Sequence, residues 1–155
     1  MSWQKKMMFN WLIATTPEEV GIAWLDFFSI GHITFGIGVF LFFSFFYTIQ
    51  THRGITPYFS LLFVYICTFS ILIVWEVLEN TLFVSLGIKF EGRLDSLPNI
   101  LTDLLLGNFG GLCTWFFCYQ IVEREKNIKA YYAFGITGFT IWFVFFFILR
   151  FFTLT

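Results

Sequence analysis

The chain has 155 residues, of which 58% are hydrophobic and only 12% charged, against roughly 25% charged in ordinary soluble domains. That excludes a soluble globular protein, which needs more polar surface, while a net charge of −1 with no basic stripe excludes nucleic acid as a partner. The 25 phenylalanines read as side chains that face lipid or fill the spaces between helices.

Taken in chain order, the first segment carries Lys5 and Lys6, but the apolar stretch behind them breaks at Thr15, Thr16, Pro17, Glu18 and Glu19. It is therefore no signal-peptide core. Trp3, Met7, Met8, Phe9 and Trp11, interleaved with lysine, predict an interfacial segment lying on the membrane. Thr16-Pro17-Glu18-Glu19 offers an N-cap, a proline at the first helical position and acids in the first turn. The first span is therefore expected over 17–50, with its apolar part starting near Ala23. Thr56-Pro57 repeats the start signal and opens a second span over 57–83. The third, capped by Asp95 or Ser96, is expected over 98–122. Glu123 to Asn127 reads as a solvated turn, and the fourth span covers 131–151 with only Arg150 charged. None of these runs shows the period-two polarity of a membrane barrel. Cys67, Cys113 and Cys118 lie inside apolar runs at spacings that suit neither a redox pair nor a zinc ribbon, so they are expected as small buried hydrophobes.

The predicted fold class is all-α: a polytopic membrane protein, one domain over 1–155, built as a four-transmembrane-helix bundle with an N-terminal interfacial segment. The plasma or inner membrane is the expected location. Lys5, Lys6, Lys89, Arg93 and Arg150 fall on the side of the N-terminus, and Arg53, Arg124, Lys126 and Lys129 on the other. That near-even split does not decide the orientation.

Topology then gathers the polar residues. Asp26, Ser29 and His32 sit in the first half of span one, and Glu76, Glu79 and Asn80 in the last turns of span two. Asn99 and Asp103 open span three, with Asp95 just before it and Arg150 at the end of span four. All converge on one half of the bilayer, whereas Asn108 and Gln120 do not. Glu76 and Glu79 (i, i+3) share a helix face, as do Asn99 and Asp103 (i, i+4). Gly107 and Gly111 extend the Asp103 face as a GxxxG pair that permits close helix approach. An acid at membrane depth costs roughly 2.5–3.5 kcal/mol on insertion scales, so Glu76 and Asp103 should turn inward. Asp26, Glu79 and Asn80 also fit interfacial or capping roles, and Asp95 with Arg93 fits a loop ion pair.

Three strings, Ser29-x-x-His32-x-x-x-Gly36, Trp75-Glu76-Val77-Leu78-Glu79-Asn80-Thr81 and Asp95-Ser96-x-x-Asn99-x-x-x-Asp103, resemble the SHxxHG, WExxENS and GDSxxNSxxD motifs of a family of uncharacterised bacterial membrane proteins. A looser likeness extends to VanZ-like glycopeptide-resistance proteins, which also carry intramembrane acids in a small helical bundle. The resemblance covers roughly 29–111, and the family's second histidine falls on Phe35. It implies a site without implying its chemistry.

His32, Glu76, Glu79, Asn99 and Asp103 are thus the candidate catalytic residues, expected to line a single cavity. His32, Glu76, Glu79 and Asp103 could hold a divalent metal, with Zn, Mn or Fe suited to His plus carboxylates and Mg to carboxylates with Asn. Such a metal would polarise a phosphoryl or ester oxygen, or activate water, on a lipid or lipid-linked substrate. Two other readings stay open. A small dimeric transporter or lipid-binding protein would use the acids as protonation or substrate sites. A structural or accessory subunit would pair them internally with His32, Arg93 or Arg150. The partners expected are membrane lipids, with a homo-oligomer or a larger membrane complex as a second class.

Overall fold

The computed structural model describes residues 11–155, so the interfacial segment expected over 1–10 lies outside the described residues. The architecture is all-helical, with four helices long and apolar enough to cross a membrane: α1 Phe27–His52, α2 Leu61–Phe83, α3 Leu97–Arg124 and α4 Ile128–Leu154. The last turns of α2 (Glu79–Phe83) and of α3 (Cys118–Arg124) widen into π-helix.

Each helix starts at a side-chain cap. Asp26 accepts from the Ser29 amide at the head of α1, Ser60 from Phe63 at α2, Ser96 from Asn99 at α3, and Asn127 from Ala130 at α4. Ser96 is a cap the sequence suggested. The other starts differ from expectation. Pro17–Glu19 forms only a single 3-10 turn, with the Glu19 carboxylate accepting from the Thr15 and Thr16 amides. Gly21 then takes a left-handed φ of +76°, which ends the turn and delays α1 by ten residues. Pro57 is separated from α2 by a bend at Tyr58 and Phe59 rather than opening it, and α4 starts at Ile128, not 131. Glu123 and Arg124, expected in a solvated turn, belong to the π-helical end of α3.

Residues 11–26 instead make a cap over one end of the bundle. The Leu25 amide donates to Leu12, the Ala14 amide to Leu25, and the Ser96 amide to Gly21. Arg93 donates from one guanidinium nitrogen to the Pro17, Glu18 and Val20 carbonyls. Ala14, Val20, Ala23 and Phe27 form a small core beneath this cap.

The helices alternate in direction. His32, near the start of α1, lies beside Asp103 near the start of α3 and beside Glu76 and Glu79 near the end of α2. Phe146, late in α4, stacks edge-on against Phe27 at the start of α1. We call this end the N-terminal face. The tightest crossing joins α1 and α3. A Cβ on Gly36 would lie 1.9 Å from the Gly107 carbonyl oxygen, and one on Gly110 would lie 2.3 Å from that of Ile33. At the opposite end, Tyr131 and Ser44 share a 2.8 Å hydroxyl pair, Tyr132 and Thr48 one of 2.9 Å, and Tyr47 donates to Glu123. Side chains such as Leu105, Phe109, Phe145 and Phe152 project outward, as lipid-facing residues do.

Candidate functional site

Three helices bring the acids together. His32 projects from the second turn of α1, and its Nε2 lies 3.4 Å from Glu76 Oε1, 3.7 Å from Asp103 Oδ2 and 3.9 Å from Glu79 Oε2. Ligand atoms of His32, Glu76 and Glu79 all fall within 4.8 Å of one another. The wide π-turn begins at Glu79, and Asn80 within it donates from its amide to the Glu76 carbonyl. Asp103 stays on the buried face of α3 with Asn99, Gly107, Gly110 and Gly111.

Several of these polar groups lack partners. Glu76, Asp103 and His32 are only 4%, 3% and 5% exposed. Among the described residues, neither oxygen of Glu76 has a hydrogen bond, nor has Asp103 Oδ1 or His32 Nδ1. An unsatisfied buried carboxylate is costly, so its presence calls for a cation or a proton.

Lys89 supplies one positive charge, and nothing in its local sequence marks it. It sits in the connection between α2 and α3, where any lysine reads as solvated. Yet its side chain is 5% exposed, forms an ion pair with Asp95 and lies 3.5 Å from Glu79. The loop folds back because the Ile88 and Lys89 amides both donate to the Phe83 carbonyl, while the Asp95 amide donates to Asn80. Asp95 therefore pairs with Lys89 rather than Arg93, whose guanidinium is committed to backbone carbonyls. Arg150 is exposed at the end of α4.

Asp26 and Asn99 are joined to each other and to the N-terminal cap. Asp26 accepts from the Gly21 amide, the Ser29 amide and Asn99 Nδ2, which also donates to the Ala23 carbonyl. Burial raises the Asp26 carboxyl above the ordinary range, and the amides from Gly21 and Ser29 oppose that rise. Asn99 thus ties the N-terminal cap to α3. Asn108, off the Asp103 face, accepts from Tyr65.

The five expected residues do not line one cavity. A small polar cleft is bordered by Asp26, Glu79, Lys89, Arg93, Asp95, Asn99 and Asp103. A second space of about 300 Å³ is bordered by His32 and Glu79 at one end and otherwise by Phe28, Gly31, Thr34, Phe35, Trp75, Phe139, Phe143 and Phe146. Glu79 borders both, and Glu76 borders neither. The helix face that carries Glu76 and Glu79 is fully packed at Glu76 and opens only one turn later, which is why shared spacing did not mean a shared cavity. Phe35, at the position of the second histidine in the motif, packs its ring against Trp75 at 5.0 Å and forms part of the apolar wall.

Five carboxylates (Asp26, Glu76, Glu79, Asp95 and Asp103) thus face one ammonium and one guanidinium. Three of them, Glu76, Glu79 and Asp103, lie 3.4–3.9 Å from His32 Nε2, a donor set able to hold a hard or borderline divalent cation. No protein-family model matches the chain, and neither a curated protein nor a solved structure matches it.

Proposed function

We propose that this integral membrane protein is a metal-assisted enzyme that acts on a lipid or lipid-linked substrate at the headgroup level. His32, Glu76 and Glu79 would hold the cation, and Asp103 would serve as a fourth ligand or as the base for a metal-bound group. His with carboxylates favours Mn, Fe or Zn. The cation would polarise a phosphoryl or ester oxygen or activate water. In this reading the motif residues His32, Glu76, Glu79 and Asp103 are the ligand set, and Asn80 and Asp95 are their supports.

One observation carries the proposal: the Glu76 carboxylate is almost fully buried, has no hydrogen bond on either oxygen, and lies 3.4 Å from an imidazole nitrogen. Internal pairing, the structural alternative, accounts for less. Lys89 reaches Glu79 and Asp95, and among the described residues the one basic side chain beside Glu76 and Asp103 is His32, a single imidazole shared by three acids. The test is Mn²⁺ binding by the purified full chain, followed by electron paramagnetic resonance. The wild type should take up a single ion per chain, and Glu76→Gln should lose at least about tenfold in affinity while keeping its helical circular dichroism. Equal Mn²⁺ and Zn²⁺ uptake by wild type and E76Q would defeat the proposal.

A further inference from the structure

The apolar space beside His32 is followed along the same face of α1 by two more, with the Phe139 ring against Gly38 between the first and the second. Phe35 and Phe139 also border an adjoining space of about 340 Å³ with Gly38, Val39, Phe42 and Ile71. Phe43 borders that space and a third of about 220 Å³ with Phe46, Phe59 and Phe63. The floor is one face of α1, and the walls are α2 and, over the first two spaces, α4. From His32 to Phe46 this floor runs about 21 Å at 1.5 Å per residue. Half of a hydrocarbon core is about 15 Å, so the groove passes from the headgroup layer beyond the midplane.

Its chemistry is one-sided. Apart from Thr34, whose hydroxyl donates to the Ile30 carbonyl, its polar groups at the N-terminal end are His32 and Glu79. The other two spaces are lined almost wholly by aromatic and aliphatic side chains. We infer that the groove between α1, α2 and α4 binds one long-chain alkyl or prenyl phosphate, its chain along Phe35, Val39 and Phe43 and its phosphate at His32 and Glu79. The phosphate is chosen because the acids around His32 would repel an anion unless a cation bridges them, and phosphoryl oxygens complete the coordination of such a cation. The inference rests on the metal reading for its headgroup and on the groove alone for its chain.

The test uses the full chain in phosphatidylcholine nanodiscs with Mn²⁺ and a tetradecyl phosphate bearing a diazirine on its terminal carbon. After illumination, mass spectrometry should find adducts focused on Val39, Phe42, Phe43 or Ile71, and excess unlabelled tetradecyl phosphate should remove them. Val39→Trp and, independently, Ile71→Trp fill the middle of the groove and should reduce those adducts several-fold without changing Mn²⁺ affinity. Leu62→Trp, on an exposed part of α2 that borders none of the three spaces, should leave them unchanged. Mn²⁺ binding with adducts scattered over Leu105 and Phe109 overturns the groove and leaves the metal reading standing. Focused adducts without Mn²⁺ binding overturn the metal reading and leave the groove standing.

Discussion

Glu76 and Lys89 pose opposite halves of one electrostatic problem. Glu76 is a buried acid with no lysine or arginine paired to it among the described residues, and Lys89 is a buried ammonium that serves Glu79 and Asp95. Removing one member of a buried ion pair typically costs about 3–5 kcal/mol, because the other is left uncompensated. Lys89→Met should therefore lower the melting temperature markedly in EDTA, and Mn²⁺ should restore a larger share of stability to it than to the wild type. A variant that melts like wild type in EDTA would show that Lys89 is no counter-ion. Glu76 and Asp103 were legible in the sequence because helix periodicity and the cost of an acid facing lipid together dictate where they point. Lys89 was not, since a loop has no periodicity and only the fold-back onto Phe83 turns its side chain inward.

At the scale of helices, the bundle depends on how closely α1 can approach α3. Gly36 and Gly110 bring backbone against backbone, so a methyl group there meets a carbonyl oxygen that cannot swing aside. Gly110→Ala should force the helices apart, at about 1–3 kcal/mol or more, and with them the distance from His32 to Asp103. Gly138→Ala is the matched control. Nothing lies within 4 Å of its Cβ, so helix propensity predicts a gain of up to about 1 kcal/mol. Melting in detergent checks both, and equal shifts would contradict the crossing. Gly107 and Gly111 stood out in the sequence by their GxxxG spacing, and both are buried at this contact. Gly110 did not, because which of two adjacent glycines is pressed hardest depends on the crossing geometry. Helix ends followed the same pattern. Ser96 was legible as a local cap, whereas Thr16 and Pro17 gave a sound start signal that Gly21 cancels five residues later.

Among the described residues, the bundle is closed at one end and approachable at the other. Far from the N-terminal face, Phe40, Tyr47, Leu61, Val64, Cys118, Val122 and Tyr131 form a continuous buried core, tied by the Tyr131–Ser44 and Tyr132–Thr48 hydroxyl pairs. An ion entering from that side would have to cross it unhydrated, which an apolar core forbids. On the N-terminal face, the polar cleft bordered by Lys89, Asp95 and Asp103 lies next to the exposed loop residues Glu91 and Leu94. Divalent cations should therefore reach His32 from the N-terminal face alone. The alternating direction of the helices puts Leu94 on that face and Glu125 on the other, so single cysteines there, treated with an impermeant maleimide, report which face of a reconstituted vesicle is outward. Leu94→Cys and Glu125→Cys should label from opposite sides. Mn²⁺ added outside should give a bound-ion resonance only in vesicles whose N-terminal face is outward. The opposite population should bind only after an ionophore admits Mn²⁺ to the lumen. Equal binding without ionophore in both orientations would mean that the far core is permeable, and labelling of both cysteines from one side would overturn the helix order on which the site depends.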